Sequence, residues 1–426
     1  MHQTILIAID MILNRQINAI MHHPRFQALE ASWRGLMYLL ECKNELKNVH
    51  VRILNLNWQE LSRDLMNAID FDQSQLFKAI YTNEFDQPGG KPFGLLICDY
   101  YANPKQDKRS PNDIYVLHAL TGVAAAAFSP CLIGVDPHFF NVEHLSELET
   151  LVDFTRIFEH PSYEKWKRVR QSPDARFLNL MLVRFCLRTP YTLLDDRIDH
   201  FCFQEDSFTT SHYLWGNSAY CLGAVIMRSF AQTGWFYDIK GINITSPQGG
   251  IVEKTPIQYE DDHTSFFYAK PACEVALRYE HEEALQDLGF IILSRCTYSP
   301  ICAFYTCRSV YCYEHHKKKI ALSLDTVLSL SRFAHYLKII ARQKIGSFAT
   351  RDILENYLQQ WLIQYTSNTS GELTQEFTAK YPLSAAEITV NERPDKPGDF
   401  YALFTLTPHR FHDQLSEHLC LEMSLS

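Results

Sequence analysis

The sequence predicts a mixed α/β protein that ends in an all-strand tail. Three observations predict it. The first hundred residues alternate helical stripes with extended apolar runs. Two long amphipathic segments follow one another between residues 331 and 365. From residue 386 onward, apolar and polar residues alternate almost to the end of the chain.

Each element has its own warrant. Ile5, Ile9, Ile12, Leu13, Ile17 and Ile20 form a helical stripe, and Pro24 ends it. A second helix then places Phe26, Leu29, Trp33, Leu36 and Leu40 on one side. His50–Asn57 alternates as a strand, and Trp58–Ile69 is helical. Gly94–Tyr100 is a continuous apolar run with one acid near its end, the pattern of a buried strand. The Ala-rich run Ala119–Val135 reads as a buried helix stopped at Pro130. It is too short, and too broken by Ser129 and Pro130, to span a membrane. Thr189–Asp206 is polar and irregular, and Trp215–Gln232 is a helix. Gly234–Lys270 reads as loops and short strands, and Ala284–Cys296 as helix then strand. Leu330, just before the segment Ser331–Phe348, shares one face with Phe333, Ala334, Leu337, Ile340 and Ala341 of that segment. Arg332, Lys338, Arg342 and Lys344 lie mostly off that face, and Gly346 is placed to end the helix. Ile353, Leu354, Tyr357, Leu358, Trp361, Leu362 and Tyr365 make a second stripe. Strands follow at 386–392, 400–407 and 415–425. The organisation expected is N-terminal helices at 1–45, a first core part at 46–188, an inserted loop-rich subdomain at 189–285, core helices and a strand at 286–384, and linking strands at 385–426.

Composition narrows the function classes. The chain has 426 residues, 46% hydrophobic and 21% charged, as an ordinary globular protein does. A net charge of −9 opposes nucleic-acid binding by the chain as a whole. The N-terminus has no basic n-region and carries Asp10, so it is no signal peptide. Twelve cysteines without a CxxC pair fit free thiols in a reducing compartment, which places the protein in the cytoplasm.

Chemistry is hard to find. There is no GxSxG, HExxH, P-loop or GxGxxG. Asp195–Asp196 and Asp261–Asp262 are adjacent, so in extended chain each pair points to opposite faces. Cys312 with His315 and His316 is the best metal-like cluster, and it lacks a fourth ligand. No catalytic residue, cofactor or metal is expected. Two classes stay open: a structural assembly protein, and a cytoplasmic hydrolase or transferase with a dispersed site.

The wording of particular segments adds a resemblance. SRFAHYLKIIARQKIGSF, from Ser331, resembles the signature helix of the large subunit of the bacterial type VI secretion contractile sheath. Eight further segments resemble that family in its own order: Pro24–Leu40, Phe71–Phe85, Gly89–Tyr100, Val123–Pro130, Tyr163–Phe177, Tyr213–Tyr220, Asp287–Leu293 and Arg393–His409. The resemblance implies a phage-tail-sheath-like core, a mixed sheet flanked by helices. It implies a structural role, with no enzyme activity. The large subunit pairs with a small sheath subunit, the heterodimers polymerise around an inner tube, and contraction expels that tube. Neighbouring sheath protomers and the baseplate are further implied partners.

Within the family the C-terminal strands join strands of neighbouring protomers. That role falls here on Ile388, Val390, Phe400, Phe404, Leu406, Leu415, Leu419, Leu421 and Met423. Glu417 interrupts the apolar face of the last strand. Lys338, Arg342 and Lys344 are candidate contacts to the inner tube. The chain starts almost at the first matched helix, where the family usually has a further segment that an AAA+ unfoldase recognises. Recycling by that unfoldase is therefore doubtful, and a degenerate, inactive sheath paralogue is the alternative within the family.

Overall fold

A computed structural model describes residues 2–44, 46–103, 113–151, 153–191, 201, 203–206, 212–243, 248–255, 272–296, 301–315, 318–320, 323–345, 351–367, 381–392, 400–408 and 419–424. Its helices are α1 (His2–Met21), α2 (Pro24–Lys43), α3 (Trp58–Asn67), α4 (Gln75–Phe77), α5 (Asp113–Ala126), α6 (Phe154–Glu159), α7 (Glu164–Gln171), α8 (Ala219–Thr233), α9 (Tyr279–Asp287), α10 (Leu324–Ile345) and α11 (Arg351–Ile363). The strands are β1 (Leu96–Ala102), β2 (Cys131–Val135), β3 (Leu178–Leu182), β4 (Phe185–Arg188), β5 (Leu214–Gly216), β6 (Ile242–Asn243), β7 (Gln248–Gly249), β8 (Ile251–Val252), β9 (Phe290–Ile292), β10 (Ser294–Arg295), β11 (Cys302–Ala303), β12 (Tyr313–His315), β13 (Lys318–Ile320), β14 (Leu383–Glu392), β15 (Phe400–Pro408) and β16 (Leu419–Ser424).

A parallel sheet in the order β1-β2-β3-β9 is the centre. Its inner strands β2 and β3 are buried throughout, which is why both are nearly free of charge. β1 is an edge strand and only half-buried, unlike the fully buried strand its apolar run suggests. One apolar core gathers α2, α8 and the aromatic group Phe139, Phe140, Phe158, Trp166 and Phe290. A second gathers α3, α5, α10, α11 and the C-terminal sheet. The middle segment 189–285 sends α8 into the first of these cores. α8 approaches α2 closely at Gly35, where a Cβ would lie 2.5 Å from the Tyr220 ring.

Several expectations need correction. His50–Asn57 is not a strand: it runs without a ladder partner, and Ile53 and Leu54 are exposed. Alternation alone does not make a strand where no neighbour offers backbone groups. The run from Ala119 divides: α5 ends at Ala126, four residues before Pro130, and β2 follows that proline. α10 begins at Leu324, seven residues before the predicted start. Gly346, Asp195–Asp196 and Asp261–Asp262 lie outside the described residues.

Candidate functional site

The C-terminal sheet is the first candidate surface. It has the antiparallel order β14-β15-β16. Its register pairs Ile388 with Phe404 and Val390 with Ala402, then Phe404 with Leu421 and Ala402 with Met423. Ile388, Val390, Ala402, Phe404 and Leu406 are buried on one face, against the second core. Phe400 is buried with them, while Leu403 on the other face is exposed. Leu419, Leu421 and Met423 occupy the matching positions of β16, which starts at Leu419. Leu415 and Glu417 lie outside the described residues.

α11 lies along β14 and bonds to its outer backbone. The Val390 N–H donates to Glu355 Oε2 at 2.9 Å. The Ile388 N–H donates to Gln359 Oε1 at 3.0 Å, and Gln359 Nε2 donates to the Ala386 carbonyl at 2.9 Å. Arg351 Nε donates to the Val390 carbonyl at 2.6 Å. Sequence reasoning missed this ladder. Its signal is the polar series at 351, 355 and 359, which passes for a solvated helix face.

The described cations of α10, Arg332, Lys338 and Arg342, are each engaged with other parts of the fold. Lys338 is 1% exposed, which corrects its placement on the outer side. Its Nζ donates to Asp86 Oδ1 at 2.8 Å and to the Tyr81 hydroxyl at 2.7 Å. The same ammonium sits 4.7 Å from the ring centres of Tyr81 and Phe85. Arg342 is partly exposed and donates to the Phe85 carbonyl at 3.2 Å and to Asp86 at 3.4 Å. Arg332 lies over the rings of Phe230 and Trp235. Lys344 is in α10, and its side chain lies outside the described residues. Lys338 is held inside the fold and presents no ammonium for an inner tube to contact.

The opening helices show the reverse arrangement. Ile5, Ile9, Ile12, Leu13 and Ile20 of α1 are exposed, as are Leu6, Ile7 and Met11. On α2, Phe26, Leu29, Trp33, Met37 and Leu40 are exposed, with Trp33 at 66%. These five are spaced three, four, four and three apart, a seam of the kind that receives another helix. α2 instead buries Gly35, Tyr38 and Leu39. An apolar stripe read from sequence points toward a contact without saying whether its own fold supplies it.

Charged and polar pins hold both helices to the body. Arg188 on β4 bonds Glu30 of α2 at 2.7 Å and Glu205 at 2.5 Å. Hydrogen bonds from that arginine hold both carboxyls below their ordinary range, against the opposing effect of burial. Asn14 Oδ1 accepts from the Gln204 N–H at 3.1 Å, and Asn18 Oδ1 from the Asp206 N–H at 2.9 Å.

No catalytic arrangement is found among the described residues. They contain no group of three or more His, Cys, Asp or Glu able to hold a metal. Their cysteines are free thiols. Burial pushes the His335 imidazole down to about 4, although its Nε2 sits 2.9 Å from the Ala127 carbonyl. No described helix is long and apolar enough to cross a membrane.

Two family models and a curated relative match the chain along nearly its whole length. Residues 3–311 match the EvpB/VC_A0108 tail sheath N-terminal domain. Residues 314–425 match the EvpB/VC_A0108 tail sheath gpW/gp25-like domain. The type VI secretion system sheath protein TssC1 of Pseudomonas aeruginosa is 34% identical over 418 residues, which cover 96% of this chain and 82% of that protein. The chain therefore belongs to the type VI secretion sheath family as a structural large subunit.

Proposed function

We propose that this subunit works as half of a heterodimer. A small sheath subunit lays a helix along the exposed seam of α2, beside the apolar face of α1. The observation that carries this is the seam itself: Phe26, Leu29, Trp33, Met37 and Leu40 face outward from a helix pinned to the body by Glu30. An exposed apolar stripe of this length is a liability for a lone chain and an asset for an obligate partner. The heterodimers polymerise in the bacterial cytoplasm as a helical sheath around an inner tube, seated on a baseplate. Contraction of the sheath expels the tube. Main-chain pairing through the C-terminal sheet links neighbouring protomers, with Ile388, Val390, Phe400, Phe404, Leu406, Leu419, Leu421 and Met423 setting its apolar face.

Co-expression with a small sheath subunit and electron microscopy test the proposal. Tubules with a helical lattice are expected, and the chain expressed alone is expected to be poorly soluble. A soluble monomer that never captures the small subunit overturns it.

A further inference from the structure

Among the described cysteines, two pairs bring their sulfurs together. Cys98 and Cys131 lie 3.3 Å apart at Sγ, on β1 and β2. Their register is diagonal: Cys131 faces Leu96, while Cys98 faces Ile133. One strand spacing and a two-residue step put the two Cα atoms about 8 Å apart. A disulfide spans at most about 7 Å between Cα atoms, so the ladder holds this pair open.

Cys273 and Cys302 differ. Their Sγ atoms are 2.9 Å apart, and both residues are buried. The S–S bond is about 2.05 Å long, so the sulfurs have under about 1 Å to close. Cys302 pairs with Val252 and Arg295 in the sheet β10-β11-β8, while Cys273 bridges Phe185 of β4. No common ladder therefore fixes the separation of their backbones.

Each side of this contact grips α2. Arg188 of β4 bonds Glu30 of α2 at 2.7 Å. The chain around Cys273 is tied to β4 and the residue before it. The Cys186 N–H donates to the Ala272 carbonyl at 2.9 Å, and the Glu274 N–H to the Arg184 carbonyl at 3.0 Å. On the other side, Cys302 pairs with Val252 of β8, and the carbonyl of the next residue, Glu253, accepts from the Tyr38 hydroxyl of α2 at 2.9 Å. The two sulfurs face each other across the gap in this circuit.

We infer that Cys273 and Cys302 form a redox modification site, which a hydroperoxide closes into a disulfide that locks the seat of α2. One sulfur attacks the peroxide. The O–O bond breaks, leaving a sulfenic acid, and the departing hydroxide takes the thiol proton as water. The second sulfur attacks the sulfenic sulfur. The S–S bond forms, the S–O bond breaks, and the second thiol proton leaves with the hydroxyl as water. Two thiols and one hydrogen peroxide thus become one disulfide and two waters. A dithiol reductant reverses the step by exchange. The contact with Cys302, together with burial, pushes the Cys273 thiol up. Thiolate is therefore scarce, and closure is slow and waits on local opening. The site stands whether or not a partner docks on α2.

Mass spectrometry tests it. The full chain, with its small subunit where that co-purifies, is treated with hydrogen peroxide and alkylated during unfolding, before proteolysis. Peptides joining Cys273 to Cys302 should be the main disulfide and should vanish with dithiothreitol, while Cys98 and Cys131 carry the alkyl label. The Tm should rise by about 5 °C on oxidation, because the bond closes a loop between residues 29 apart. The Tyr38 and Leu39 amides of α2 should exchange about tenfold more slowly. Cys273→Ala and Cys302→Ala should each lose all of these responses. Recovery of both cysteines alkylated or over-oxidised, or joined mainly to other cysteines, overturns the site. A Cys273–Cys302 bond that leaves Tyr38 and Leu39 exchange unchanged overturns the link to α2.

Discussion

Lys338 shows how one buried cation is made tolerable. It has a carboxylate, a phenol and two aromatic faces around it, yet the Asp86 side chain remains 41% exposed. Removing the lysine therefore leaves an acid that water can still solvate. Lys338→Ala should destabilise the fold by about 2 kcal/mol, mostly through lost packing and the lost ammonium bonds. Lys338→Met, which keeps the stem, should cost under about 1 kcal/mol. Thermal unfolding of both variants checks the contrast, and equal losses would show that the charge itself is what matters. His335 carries a pH signature. Its imidazole titrates near 4 in the fold, against about 6.5 in an unfolded chain. Between those values the unfolded chain binds more protons, so stability is full above about pH 6.5 and falls as the pH drops toward 4. The loss amounts to up to about 3 kcal/mol. His335→Leu should flatten that acid limb in urea titrations run from pH 7 to pH 4.

Among the elements, a repeated device links helices to extended chain. Asn14 and Asn18 of α1, four apart, bond the backbone of Gln204 and Asp206, two apart, much as α11 bonds β14. Neither instance was legible in the sequence, because a polar residue every fourth position is also what a solvated face looks like. Other elements were legible for a clear reason. The stripes of α10 and α11 are strong, and Phe333, Leu337, Leu354, Leu358 and Leu362 are buried where periodicity puts them. The strands β14 and β15 matched their alternation to within a few residues. His50–Asn57 failed because a strand is defined by its neighbour, and no window of sequence contains that neighbour. Lys338 failed because only the fold brings Asp86, 252 residues away, to receive it. The crossing of α2 with α8 is likewise set by tertiary contact. Gly35→Ala should place a methyl into the Tyr220 ring and cost about 1–3 kcal/mol. A Tm unchanged by that substitution would mean the two helices can separate cheaply.

Among the described residues, the densest run of exposed apolar side chains lies on α1 and α2, while Arg188, Glu205 and Lys338 are charged side chains buried elsewhere. Trp33 and Leu29 make few demands on the monomer, since both are exposed. Leu29→Asp combined with Trp33→Asp should leave the fold intact, raise the solubility of the chain alone and abolish capture of the small subunit in pull-downs. Retained capture would move the partner's docking site off α2. That division of labour was half visible in sequence: the stripes were plain, but which side of each faced water was not.

The pins on α1 and α2 carry a kinetic consequence. Arg188 with Glu30 and Glu205, and Asn14 and Asn18 with residues 204–206, set both helices in place before any partner arrives. Encounter then needs no coupled folding on this side, so no ordering entropy is charged against association. Association should follow simple second-order kinetics, with a rate constant in the ordinary docking range of about 10⁵–10⁷ M⁻¹s⁻¹. Loosening the pins, by Arg188→Met for instance, should add a slow unimolecular phase as α1 and α2 search for their seats.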